Sequence, residues 1–172
     1  MSTFTFEVLS NSVSIFMESP LKGIQYLRDN TSPTPFVTRH IDKLEKFVTT
    51  GIPQFSIFVD GNDKLGKKFL AFSSVSGADT CPGAGQCLTF CYTFKGWRTL
   101  APFCRQIQNM ILLSTDSGFQ LIVQDLDKNL RRRKFKSRLV DLRLYVDGDF
   151  KDKREINLWM ETIGQRPSLR AY

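Results

Sequence analysis

Apolar and polar positions alternate at the start of the chain in two short bursts. Phe4, Phe6 and Val8 form the first, Val13 and Ile15 the second, and Ser10-Asn11-Ser12 separates them. A period of two predicts a hairpin or two edge strands over 4–16. The period then lengthens. Ser19-Pro20 favours a helix start, because proline suits the first helical position, and a short helix over 20–28 ends near Asn30. Thr31-Ser32-Pro33-Thr34-Pro35 reads as a turn. Phe36, Val37, Ile41, Leu44, Phe47 and Val48 then recur at helical spacing over 36–50, with Gly51 placed to end the helix.

Phe55–Val59 predicts a strand, Asp60-Gly61-Asn62-Asp63 a turn, and Phe69–Phe72 a second extended stretch. Beyond a Gly- and Cys-rich loop over 77–96, two amphipathic helices follow. One has apolar residues at 100, 103, 104, 107 and 111; the other has them at 119, 122, 123, 126 and 130, with Thr115-Asp116-Ser117 offering N-caps. Leu139–Val146 is the clearest strand. A helix carrying Glu155, Ile156, Leu158, Trp159 and Ile163 closes at Gly164, and residues 168–172 predict one more strand. Strand, helix and strand with short joints make a βαβ unit, whose parallel strands are normally buried on both faces. The expected class is therefore α/β, a partial parallel sheet of βαβ units preceded by a short hairpin and helices. Residues 1–54 form the N-terminal hairpin and helical segment and 55–172 the Cys-loop domain, the two expected to make one compact unit. The chain stops within its last strand, so a covering partner, a second copy or a continuation is expected there.

Composition fits this picture. Of 172 residues, 41% are hydrophobic and 15 are Phe, enough for a buried core. No apolar run approaches the roughly 20 residues of a membrane helix, so no membrane partner is expected. The N-terminus has neither a basic region nor an apolar core of the secretory kind, which predicts a reducing cytoplasm. The net charge of +7 is concentrated. Lys128, Arg131, Arg132, Arg133, Lys134, Lys136 and Arg138 supply seven cations, leaving 17 basic against 17 acidic residues elsewhere. Those seven are the candidate nucleic-acid-binding residues; the plainer alternative is a solvated helix end and loop.

The cysteines are the most informative residues. Three form Cys81-x5-Cys87-x3-Cys91, and Cys104 stands apart on the apolar face of a helix, where a structural role is expected. Gly83 and Gly85 let the loop fold back tightly, as convergence of three thiols on one centre requires. Soft thiolates select zinc or iron–sulfur clusters. Three close thiols suit a [4Fe–4S] cluster better than zinc, because the paired C-x-x-C of zinc ribbons is missing. Inert thiols and a disulfide remain alternatives. Asp147-Gly148-Asp149 follows the clearest strand, at the end where open α/β sheets bind ligands. Asp147 and Asp149 are the candidate catalytic acid–base pair or cation ligands; the alternative is a turn with Asp capping the helix near 152. His40 is expected on a helix surface, Trp97 and Trp159 in the core.

Cys81-Pro82-Gly83, Cys87, Cys91-Tyr92, Lys95-Gly96, Asn109, Leu144-Tyr145-Val146-Asp147-Gly148-Asp149-Phe150 and Trp159 together resemble the gene product eighty-eight proteins of phages and plasmids. The resemblance covers 69–172. It departs at Thr93, where the family usually has Ala, and at Asp147, where it usually has Ser. Family members usually continue beyond Tyr172, so the resemblance implies the front half of a larger, barrel-like α/β domain. Its three-Cys loop is similar in architecture to that of radical S-adenosylmethionine enzymes, whose spacing is instead C-x3-C-x2-C. The resemblance thus implies a half-length or degenerate enzyme of that kind, with Cys81, Cys87 and Cys91 on an iron–sulfur cluster. The alternative is a phage accessory protein binding nucleic acid or a host protein through 128–138. Whether the chain is an enzyme stays open.

Overall fold

The chain is described by a computed structural model over residues 4–62, 66–77, 79–136 and 138–172. It opens with three helices: α1 (Phe6–Glu18), α2 (Pro20–Asn30) and α3 (Pro35–Thr50). The expected N-terminal hairpin over 4–16 is therefore a helix. Leu9, Ser12, Val13 and Phe16 are its buried residues, spaced by three and four, and Thr5 caps it by accepting the Val8 N–H at 3.2 Å. Phe6 and Val8, which suggested alternation, are less buried than these, Phe6 exposed and Val8 partly buried against the core. The helices over 20–28 and 36–50 form as predicted, with Pro20 and Pro35 in their first turns. Thr34 caps α3, and Gly51 ends it in the left-handed region at φ +71°.

His40 is buried rather than on the surface. It lies on the same face of α3 as Val37, Ile41 and Leu44, with Nδ1 2.8 Å from the Phe36 carbonyl and the Phe36 ring 4.3 Å away.

Four strands form one sheet in the order β1-β2-β3-β4: β1 (Phe58–Asn62), β2 (Gly66–Phe72), β3 (Val140–Arg143) and β4 (Leu169–Ala171). β1 pairs antiparallel with β2, while β2–β3 and β3–β4 are parallel. The sheet is thus mixed, and the described strands close no barrel. β1 begins three residues later than the strand expected from Phe55. Asp60 to Asn62 still belong to it, with a register shift there and Gly61 at φ +47°; Asp63 of the expected turn lies outside the described residues. β3 is shorter than the predicted 139–146 because Tyr145 turns into the left-handed region at φ +49°. Leu144 and Val146 nevertheless donate to Tyr172 and Phe72 carbonyls, extending the hydrogen bonding past the strand's end.

Between β2 and β3 run the Cys loop with a 3-10 turn (Gly85–Phe90), α4 (Thr93–Gly96), α5 (Leu100–Leu113) and α6 (Asp116–Leu130); α7 (Lys153–Gly164) links β3 to β4. One hydrophobic cluster extends from Leu9 to Leu169. Trp159 of α7 stands edge-on to Phe72 and to Phe119 of α6, at 5.0 and 5.3 Å, which brings both helices against one sheet face. Trp97 packs edge-on to Phe103 at 5.0 Å, so both tryptophans are core residues. Phe6 of α1 contacts Phe94 of α4 at 4.4 Å, fastening the N-terminal helices to the exit of the Cys loop. On α5, the Asn109 amide donates to the carbonyls of Ile57 and Ser73, at 3.1 and 2.9 Å. That single side chain ties the helix to the approach to β1 and to the exit from β2. No helix of the described residues is long and apolar enough to cross a membrane.

Candidate functional site

The carboxyl ends of β2 and β3 lie side by side, because the two strands are parallel. Two loops leave from there. One begins at Ser73 and carries the cysteines; the other is Leu144–Asp152. In open α/β sheets the crevice between such loops is where ligands bind, and here both loops line one cleft of about 400 Å³. Cys81, Cys87 and Cys91 line it from one side, Asp147, Gly148 and Asp149 from the other. All three thiols are free; Cys87 is exposed, Cys81 and Cys91 half-buried. Among the described residues, no three His, Cys, Asp or Glu side chains are gathered closely enough to hold a metal ion. The thiols therefore share a cleft without being closed on a common centre. Cys104 is fully buried in α5, and burial pushes its thiol pKa up.

Asp147 is bound on both oxygens. Oδ1 accepts the Thr93 hydroxyl at 2.9 Å and Oδ2 the Gln106 amide at 3.0 Å. Gln106 in turn accepts the Trp97 indole N–H at 2.7 Å. The chain of contacts continues on the entry side of the loop, where Ser76 donates to Thr93 Oγ1 at 3.1 Å and accepts the Gly148 N–H at 2.9 Å. Tyr92 reaches the Val146 carbonyl through its hydroxyl. Asp147 thus fastens both ends of the Cys loop and α5 to the end of β3. A carboxylate so engaged holds its neighbours in position. Sequence marks Thr93 only as a departure from the family pattern, and Ser76 and Gln106 not at all. The signal for Gln106 is the run of amide side chains, Gln106, Gln108 and Asn109, in a largely apolar helix.

Gly148 makes the close approach possible. Its φ is +83°, and a Cβ there would lie 3.0 Å from both the Ser74 and Val75 carbonyl oxygens. Asp149, by contrast, is exposed and accepts only the local Phe150 N–H on Oδ1, at 2.7 Å, among the described residues. Asp152 is the N-cap of α7, accepting the Glu155 N–H at 2.9 Å.

The cations at 128–138 lie away from this cleft, in the last turn of α6 and the turns between α6 and β3. Arg132 forms a two-pronged bond to Asp60 at 2.8 and 2.7 Å, and Lys134 pairs with the same carboxylate. Phe135 is buried beneath them, with the Lys134 ammonium 4.6 Å from its ring centre. Lys128, Arg131, Arg133, Lys136 and Arg138 are exposed; Ser137 lies outside the described residues.

A family model described as Gene product 88 matches residues 56–172. The match takes in all four strands, the Cys loop and the Asp147–Asp149 turn, and begins after α3. No curated protein and no solved structure matches the chain.

Proposed function

The chain belongs to the Gene product 88 family, and from that premise we propose that its working centre is the thiol-lined cleft, with Cys81, Cys87 and Cys91 holding an iron–sulfur cluster. What supports this reading is a single observation: all three loop thiols and the Asp147–Asp149 turn line one cleft at the carboxyl ends of parallel strands. The donor chemistry fits, since thiolates are the ligands of iron–sulfur clusters and of zinc. The open spacing of the thiols fits a loop that closes as metal binds, since metal binding is coupled to the ordering of its ligands. Gly83 and Gly85 give the loop room to close, with no atom within 4 Å of a Cβ at either. A bound [4Fe–4S] cluster would supply one-electron chemistry. The chain's own residues supply the frame. Asp147 holds Thr93 and Gln106 in register, and Tyr92 holds the loop's exit against β3.

Anaerobic purification followed by iron, sulfide and zinc analysis tests this. Iron and sulfide in equal amounts are expected, falling in each of Cys81→Ser, Cys87→Ser and Cys91→Ser. Cys104→Ser should keep them, because that thiol is sealed in the core. A chain free of iron, sulfide and zinc after anaerobic isolation contradicts the proposal; zinc alone replaces the cluster by a thiolate zinc site.

A second reading, binding of nucleic acid, rests on the exposed cations of the α6–β3 connection. Arg133, Lys136 and Arg138 make no ion pair among the described residues. Phosphate contacts release counterions, with a slope of about −0.9 in log affinity against log salt for each contact. Substituting Arg131, Arg133, Lys136 and Arg138 by Gln should weaken duplex DNA binding and flatten that slope in a salt titration. Equal binding by both proteins leaves the cations as solvated surface.

A further inference from the structure

A second cavity, of about 360 Å³, lies on the other side of the Asp149 turn. We propose that it binds a small organic cation with an apolar body, its ammonium group held by Asp149. The volume is in the range of small-molecule sites. One wall is apolar, built from Phe16 and Met17 at the end of α1 and Met110, Ile111 and Leu113 at the end of α5. Methionine adapts its shape to a ligand more readily than branched side chains do. The opposite wall is the turn from Asp149 into α7.

The charge of the ligand follows from which polar groups already have partners. Arg154 donates to the Leu113 carbonyl at 3.1 Å and pairs with Asp116. Glu155 is buried, accepting the Tyr145 hydroxyl on one oxygen and the Lys151 N–H on the other, the latter at 2.7 Å. Asp152 caps α7 through Oδ1, and its Oδ2 has no bond among the described residues. Asp149, which does not cap a helix, likewise has Oδ2 without a bond among them. The Lys151 ammonium lies at the end of a long, exposed chain that can swing into water. An anion entering the cavity would meet Asp149 and Asp152 and would find the α7 N-terminus already capped. A neutral apolar ligand would shield Asp149 from water with nothing in exchange. An ammonium attached to a hydrocarbon matches both walls.

Asp149 also lines the thiol-lined cleft, and Thr80, on the wall of this cavity, precedes Cys81. A cation seated here therefore sits beside the thiols. Its binding does not depend on what they carry, and the test keeps the two ideas apart.

The probes are phenethylammonium, 2-phenylethanol and 3-phenylpropanoate, titrated into the full chain with the methionine methyl groups observed by NMR. The cation is expected to shift Met17 and Met110 but not Met160, which is exposed on α7 and outside the cavity. The propanoate should not bind. Asp149→Asn should weaken the cation about tenfold, the worth of one charge-assisted hydrogen bond, and Lys151→Glu should strengthen it. Both residues are exposed, so neither variant threatens the fold. The Cys81/Cys87/Cys91→Ser protein should bind the cation unchanged, which separates this site from the metal proposal. Absence of binding at millimolar cation, equal binding of all three probes, or indifference to Asp149→Asn overturns the inference.

Discussion

Gly148 shows how much one backbone position decides. It sits between two aspartates that a reader of the sequence would take for the chemistry. Its own role is steric: at φ +83° it lets the β3 end press against the carbonyls of Ser74 and Val75. Gly148→Ala should cost about 1–3 kcal/mol, from a side chain forced into the left-handed region and against two carbonyl oxygens. Urea denaturation should show this as a lower midpoint with an unchanged slope. The two aspartates were legible as a pair at a strand end, but not their division of labour. Asp147 is tied to Thr93 and Gln106, 54 and 41 residues away in sequence, and no local pattern announces partners at that distance. Asp149 stays at the surface between two cavities.

At the scale of elements, strong caps and periodic faces were readable and short ambiguous runs were not. The helices of 35–50, 100–113 and 116–130 combine three- and four-residue apolar spacing with a Pro, Thr or Gly boundary. The first helix resembles a hairpin in sequence because Phe4, Phe6 and Val8 alternate for five residues; Leu9, Ser12, Val13 and Phe16 bury against the core through a helical period that hides a serine among them. The start of α7 carries a titration signature. Burial raises the Glu155 pKa, partly opposed by its hydrogen bonds from Tyr145 and Lys151. A carboxyl group whose folded pKa exceeds its unfolded value, about 4.3, binds more protons in the folded state. Stability should therefore fall as pH rises from about 4.3 through the raised value. Asp127 has the opposite sign: its hydrogen bonds from Arg166 lower its pKa, so its contribution is lost on acidification. Denaturation midpoints across pH should show both limbs. Glu155→Gln should flatten the upper one without abolishing it, because burial raises the Asp125 pKa as well.

At the scale of the whole molecule, the parallel pairing of β3 with β4 is foreseeable from the strand–helix–strand order, and with it the end of the sheet where a site belongs. The cysteines were visible as a cluster. That they face the Asp147–Asp149 turn follows from β2 and β3 being neighbours, a pairing made across the roughly 70 residues that separate them. The family match starts at residue 56 and so includes β1, further toward the N-terminus than the motifs alone indicated. The three leading helices lie outside the match yet are bound to its centre through Phe6 and Phe94.

The clasp at the base of the Cys loop has a consequence for how this architecture can vary. Ser76 and Thr93 touch one another and share the Asp147–Gly148 turn, so the chain enters and leaves the loop through the same point. Whatever lies between is a pendant segment whose ends are already joined, and closing a longer one costs only a logarithm of its length. Residues could be gained or lost around Gly83 and Gly85 without moving a strand. The sheet thus acts as a fixed socket, and the thiol-bearing part is a plug whose length the socket does not set.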